Sequence, residues 1–148
     1  MRIALITGAS SGLGMAFAER LACYKDVEEL WLLARRRDRL EALAARLNKP
    51  VKILEYDLTV PETIGQIKGL LKSEKPDLRY LVNAAGFGKF GTYADLTLQE
   101  TNDMIRLNCQ AAVDLTVIAI PFMSRGARIL EIVSSSSFQP LPGLNIYA

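Results

Sequence analysis

The chain has 148 residues, 50% of them hydrophobic, and a formal net charge of +2. This length fits one domain with a buried core, and the small charge argues against a nucleic acid or an acidic membrane surface as partner. The sequence contains no histidine, which excludes Ser-His-Asp hydrolysis, Cys-His proteolysis and any histidine-ligated metal site. We therefore expect no metal centre, and acid–base chemistry falls to Tyr, Lys, Asp, Glu, Cys or a bound cofactor.

The cysteines and the apolar segments bear on location. Cys23 and Cys109 lack the spacing of a metal site or a redox motif, so we predict two buried free thiols in a reducing compartment. The N-terminus lacks the layout of a signal peptide. The apolar stretch Ala111–Met123 is too short to span a bilayer and contains Asp114 and Pro121. These features predict a soluble cytoplasmic protein that does not bind a membrane.

Strand and helix patterns alternate along the chain. Apolar runs and helical spacings predict elements in this order: Ile3–Ile6, Leu13–Cys23, Leu30–Leu33, Asp38–Leu47, Val51–Glu55, Pro61–Ser73, Tyr80–Val82, Gln99–Met123 and Arg128–Val133. Pro61 suits a first helical turn, and Thr59 is predicted to cap that helix. The alternation predicts an α/β fold, a doubly wound parallel sheet in a single domain over residues 1–148. In such a sheet ligands bind beyond the carboxyl ends of the strands, so functional residues should follow each strand.

The first predicted strand runs straight into a glycine-rich turn and a helix. Glycines let the backbone turn sharply and approach a ligand closely, and the helix N-terminus presents free N–H groups to a pyrophosphate. The alternative is a tight strand-to-helix connection without a ligand. We predict a dinucleotide cradle made by Gly8, Ser10, Ser11, Gly12, Leu13 and Gly14.

Arginines follow the second predicted strand. Sites that prefer NAD usually place Asp or Glu at this strand end, but here Ala34 is followed by Arg35. A guanidinium can hold a ribose 2′-phosphate through charge-assisted hydrogen bonds. We predict that Arg35, assisted by Ser10, favours NADP(H) over NAD(H), and we interpret the other arginines of the run as surface charge. The alternative is a solvated basic start to the next helix.

Three segments resemble the short-chain dehydrogenase/reductase family. The turn Thr7–Gly14 matches its T-G-x-x-x-G-x-G motif, Asn83–Gly86 matches its N-A/N-A-G motif, and P-x-P-G precedes Tyr147 at the spacing the family shows. The resemblance covers essentially the whole chain but only part of a usual family member. It implies a Rossmann fold without the family's last strands and substrate loop. The implied activity is hydride transfer between NADP(H) and a carbonyl or secondary-alcohol substrate.

The resemblance also implies roles at the third and fourth strand ends. Asp57 would accept a hydrogen bond from the adenine amine, and Leu58 would line the adenine pocket; the alternative for Asp57 is helix capping. Asn83 can tie adjacent strands together through its amide. The small residues after it would let the nucleotide ribose approach the sheet: Ala84, Ala85 and Gly86.

The implied catalytic residues are Tyr147 as acid and base, Ser134 as the group that stabilises the oxyanion, and Asn108. Pro140, Pro142 and Gly143 align without gaps, although Glu131 and Val133 depart from the family's usual Asn and Ser. Asn108 would perturb the long helix and hold a water in a proton relay. Its alternative is a plain polar contact.

The family's active-site lysine lies four residues after the tyrosine, which places it beyond Ala148. We therefore expect the sequence to be part of a full-length reductase. The alternative is a short dinucleotide-binding or regulatory module without turnover. Dimers and tetramers of the family commonly use the helix that corresponds to Gln99–Met123 and the helix after the catalytic tyrosine, so we expect a homo-oligomer when the protein is full length.

Overall fold

The computed structural model describes residues 1–139, 141–144 and 146–147. These form five strands: β1 (Arg2–Thr7), β2 (Glu29–Ala34), β3 (Val51–Glu55), β4 (Asp77–Asn83) and β5 (Arg128–Glu131). The helices are α1 (Gly12–Ala22), α2 (Arg37–Ala44), α3 (Pro61–Glu74), α4 (Leu98–Ile105) and α5 (Ala111–Ala119). All strand pairs are parallel, in the order β3-β2-β1-β4-β5. The predicted doubly wound sheet of the Rossmann type is confirmed.

The central strands are apolar on both faces because helices cover both. On one face, Ile6 and Val82 belong to a buried cluster that includes residues of α1 and α2. On the other face, Leu5 and Trp31 belong to a cluster that includes residues of α3 and α5. This alternation is what a strand produces when successive side chains point to opposite faces. The two cores hold the carboxyl ends of the strands at one common edge.

The long helix is less regular than its sequence predicts. It begins with a capping box, in which the Thr97 side chain accepts from the Glu100 amide and the Glu100 side chain accepts from the Thr97 amide. A π-helical turn over Arg106–Gln110 separates α4 from α5, and a 3-10 turn over Ile120–Phe122 follows α5. By length and composition the whole run Leu98–Phe122 meets the criteria for a membrane span. One such helix is weak evidence that the chain spans a membrane, because core helices of soluble proteins meet the same criteria.

Two local predictions are wrong. The Thr59 hydroxyl does not cap α3; it donates to the Asp57 carboxylate at 2.7 Å, and Val60 is the N-cap residue. Cys23 and Cys109 are exposed rather than buried. Cys23 closes the end of α1, and Cys109 lies in the π-helical turn, whose five residues are all at least partly exposed. Apolar spacing does not specify which side of an irregular turn faces solvent.

Candidate functional site

A cavity of about 340 Å³ opens at the carboxyl edge of the sheet, within the size range of small-molecule sites. The loops after β1, β2, β3 and β4 all contribute to its lining. Most of the predicted cofactor-binding residues line it: Gly8, Ser10, Ser11, Gly12, Leu13, Arg35, Asp57, Leu58, Ala84, Ala85 and Gly86. Gly14 and Asn83 are buried behind this surface. The fold therefore brings together residues that lie far apart in the sequence.

The glycine turn is packed tightly against the end of β4. Gly8 has a φ of 66°, and a Cβ on it would lie 2.7 Å from the Ala84 carbonyl oxygen. A Cβ on Gly14 would lie 2.4 Å from the Gly8 carbonyl oxygen. Side chains at either position would displace backbone rather than a flexible group. Gly14 thus shapes the turn from beneath, while Gly8 both shapes it and lines the cavity.

Thr7, at the end of β1, holds the start of the N-A-A-G segment. Its hydroxyl accepts hydrogen bonds from the Ala84 amide at 3.1 Å and the Ala85 amide at 3.0 Å. It also lies 3.4 Å from the Val82 carbonyl oxygen, to which it donates. The sequence analysis assigned no role to Thr7. Its position directly before Gly8, at the start of the glycine-rich turn, was the feature that could have indicated one.

Arg36 reaches into the glycine turn. Its guanidinium donates to the Ser10 hydroxyl at 2.9 Å and to the Ser11 hydroxyl at 3.0 Å. Because Ser11 is the N-cap residue of α1 and its side chain makes no cap bond there, the helix N-terminus is left open toward the cavity. Arg36 is exposed, as the interpretation as surface charge expects, but it also lines the cavity. Position at the end of β2 could not by itself show which of the two adjacent arginines, Arg35 or Arg36, reaches the glycine turn.

Arg35 lies on the other side, beside Asp57. Its guanidinium is 3.6 Å from the Asp57 carboxylate, and its side chain is 69% exposed. Burial alone would raise the pKa of Asp57, but hydrogen bonds from the Thr59 hydroxyl and amide, together with the nearby Arg35, outweigh it and lower the pKa. Asp57 is therefore an ionised acceptor at neutral pH.

Asn83 and Asn108 both bond other parts of the chain. The Asn83 amide donates at 2.8 Å to Glu131 on the neighbouring strand β5, so it ties two strands together. Asn108, in the π-helical turn, donates to the Phe87 carbonyl at 2.8 Å and accepts from the Phe87 amide at 3.0 Å. The Asn108 side chain therefore fixes the loop that follows Gly86.

Ser134 lies shortly after the end of β5, and Tyr147 lies against the loop that follows β4. Ser134 follows β5, and its hydroxyl is 2.6 Å from the Ser136 hydroxyl. The Tyr147 ring packs on Gly88, where a Cβ would lie 3.0 Å from the ring. The Gly91 amide donates to the Gly143 carbonyl at 2.8 Å. This bond joins the loop after β4 to the segment that carries Tyr147. Pro140 lies outside the described residues.

Comparison with known proteins identifies the class. The profile of the short chain dehydrogenase family matches residues 2–148. The chain therefore belongs to this family of oxidoreductases. An oxidoreductase of Staphylococcus epidermidis is 26% identical over 148 residues, covering 99% of this chain and 64% of the relative.

Solved structures agree with this assignment. The bulky-bulky ketone specific alcohol dehydrogenase from Comamonas testosteroni has a TM-score of 0.87 and 30% identity, covering 99% of this chain and 60% of that one. A short-chain dehydrogenase from Sphingobium yanoikuyae in complex with NADPH has a TM-score of 0.86 and 33% identity, covering 99% and 59%. Similar structures include complexes with NADPH and with NADH. The chain thus spans under two thirds of the length of these proteins.

Proposed function

We propose that this protein is an NADP(H)-dependent oxidoreductase that transfers hydride between the nicotinamide and a carbonyl or secondary-alcohol substrate. The observation that carries the proposal is the pair of guanidinium groups, Arg35 and Arg36, at a strand end where NAD sites usually have a carboxylate. Residues 1–148 would form a single nucleotide-binding domain. A cytoplasmic location stays a prediction.

The cavity suits a dinucleotide. Gly12 has a φ of 56° and no atom within 4 Å of its Cβ direction, so a phosphate can approach the backbone. The open N-terminus of α1 offers N–H groups and the positive end of the helix dipole. Asp57 can accept from an adenine amine because its carboxyl is ionised. Leu58 supplies an apolar wall beside it.

The two arginines would share the 2′-phosphate. Arg36 already lies between two hydroxyls that can also donate to a phosphate oxygen, so Ser10, Ser11 and Arg36 form a ready anion site. Arg35 is largely exposed, and its 3.6 Å contact with Asp57 is easily exchanged for a phosphate. We therefore extend the sequence-based assignment from Arg35 to both residues.

Arg36→Ala and Arg35→Ala should each weaken NADPH binding about tenfold or more while changing NADH binding little, because a charge-assisted hydrogen bond contributes about 1.5–3 kcal/mol. Titration of both cofactors, followed by protein fluorescence, measures the effect. Arg39→Ala is the matched control, since Arg39 is exposed outside the cavity lining. Equal weakening of NADPH and NADH would overturn the phosphate role.

When bound, the nicotinamide supplies or accepts the hydride. The Tyr147 hydroxyl would donate a proton to the developing alkoxide in reduction and accept it in oxidation. The Ser134 hydroxyl would donate a hydrogen bond to the same oxygen and stabilise its charge. Asn108 would support this edge by fixing the Phe87 backbone, and it would also hold the water of the proton relay. Nucleotide binding without turnover of any ketone would favour the non-catalytic alternative.

Association of copies through the long helix is supported by its exposed apolar side chains. Val113, Val117 and Ile120 on and after α5 are 59%, 61% and 55% exposed, and such patches mark interaction surfaces. Val117→Asp should shift the protein toward monomer in sedimentation velocity, because a charge would be buried in the interface. Lys68→Asp, on the exposed side of α3, is the control. An unchanged sedimentation coefficient at Val117→Asp would exclude this face.

A further inference from the structure

The edge strand β5 ends in a carboxylate that is bonded to two other elements. Glu131 Oε1 accepts from the Asn83 amide on β4 at 2.8 Å and from the Thr116 hydroxyl on α5 at 2.8 Å. Asn83 is only 6% exposed whereas Glu131 is exposed, so this junction runs from the core to the surface. One oxygen atom therefore joins β4, α5 and β5 just before the Ser134 loop.

The junction is the main side-chain link at the end of β5. Beyond Glu131 the backbone makes one further bond to β4, from the Ile132 amide to the Asn83 carbonyl at 3.0 Å. Val133 is 82% exposed, so within the part of the chain that the structure describes apolar packing does little to hold the backbone there. Ser134 is the next residue. Its hydroxyl is bonded within the same turn, to the Ser136 hydroxyl and the Ser136 amide, so the end of β5 is the point at which this turn is attached to the sheet.

The cofactor side of β4 is held separately. Thr7 bonds the Ala84 and Ala85 amides from β1. The Asn83 amide also lies 3.3 Å from the Ala112 carbonyl and 3.2 Å from the Thr116 hydroxyl, both on α5. Loss of Glu131 would therefore leave Asn83 with partners on α5. Loss of the Glu131 carboxylate would release the end of β5 and would leave the wall of the cavity in place.

We propose that Glu131 is a positioning residue that places the Ser134 hydroxyl by joining β5 to Asn83 and Thr116. The inference rests on the proposed oxidoreductase function only for its catalytic consequence; the anchoring itself is a property of the fold. An amide oxygen can accept the same two hydrogen bonds. Geometry at this atom, rather than net charge, is what the site requires.

Glu131→Leu should lower kcat for ketone reduction about tenfold or more, since a misplacement of catalytic groups by about 1 Å costs up to about a hundredfold. The dissociation constant of NADPH should change less than about threefold, because Thr7 and α5 still hold the cavity wall. Glu131→Gln should restore most of kcat. Thr116→Val should show a smaller loss, because it removes one donor of the junction.

Hydrogen exchange tests the anchoring without any activity. In Glu131→Leu, exchange of the amides from Ile132 to Phe138 should rise about tenfold, while exchange in β1 and β2 stays unchanged. Glu55→Leu is the matched control, because Glu55 ends the other edge strand, β3, and pairs only with the exposed Arg37 at 3.6 Å among the described residues.

The outcomes separate the two proposals. Absence of ketone reduction by the unmodified full-length reductase would overturn the proposed function, and hydrogen exchange would still decide the anchoring. Unchanged exchange at residues 132–138 in Glu131→Leu would overturn the positioning role. So would a uniform rise over the whole chain, an unchanged kcat in an active enzyme, or failure of Glu131→Gln to restore it.

Discussion

Tyr147→Phe should lower kcat for ketone reduction by about 10²–10⁴-fold, the range that general acid–base catalysis contributes. The change removes only the hydroxyl, so the ring can keep its packing on Gly88. We therefore expect NADPH to bind with unchanged affinity and the thermal unfolding temperature to stay the same. Stopped-flow measurement of NADPH oxidation at saturating cofactor and ketone gives kcat directly.

Tyr93→Phe provides the control for this experiment. Tyr93 is 94% exposed in the loop between β4 and α4, and loss of its hydroxyl should leave kcat unchanged. Retention of more than a tenth of the activity by Tyr147→Phe would contradict the assignment of this hydroxyl as acid and base. Loss of NADPH binding in the same variant would instead indicate a structural role for the tyrosine.

Gly8→Ala should abolish NADPH binding and destabilise the fold by about 3 kcal/mol. The positive φ costs an L-residue about 1–2 kcal/mol, and the clash of the new Cβ with the Ala84 backbone at 2.7 Å adds an overpacking cost of about 1–3 kcal/mol. The turn and the end of β4 must separate to relieve this contact. Both surfaces line the cavity, so the cofactor site is distorted as well.

Gly65→Ala is the opposite case and serves as the control. Gly65 lies in α3, and no atom outside its own helix backbone stands within 4 Å of the place a Cβ would take. Alanine there should stabilise the helix by about 0.5–1 kcal/mol. Urea unfolding measures both variants, and titration of NADPH measures binding. A Gly8→Ala protein as stable as the unmodified one would show that the turn and β4 are not held in contact.

The cofactor region illustrates how far sequence reasoning reaches. The alternating pattern and the glycine spacing predicted the strand ends and the turn within a few residues, because periodicity and backbone preference are properties of neighbouring residues. The same reasoning placed Arg35 at the cavity. It could not place Arg36, because only the path of the chain decides which guanidinium turns toward Ser10 and Ser11.

Partners that are distant in sequence were beyond such reasoning. Thr7 bonds the Ala85 amide across a separation of 78 residues, and Asn83 bonds Glu131 across 48. Two other outcomes likewise depend on neighbours that packing supplies. Cys23 and Cys109 are exposed, and the Thr59 hydroxyl bonds Asp57 instead of capping α3.

The sequence by itself determined the parallel sheet, the glycine turn and the strand ends that carry the site, since these follow from local periodicity and conformational freedom. The sequence also indicated that the Asn83 amide can tie adjacent strands together, but only the tertiary structure decided which partners hold the site together. Hydrogen-bond partners across a sheet are chosen by strand order and register, which bring Thr7, Asn83 and Glu131 to adjacent strand ends.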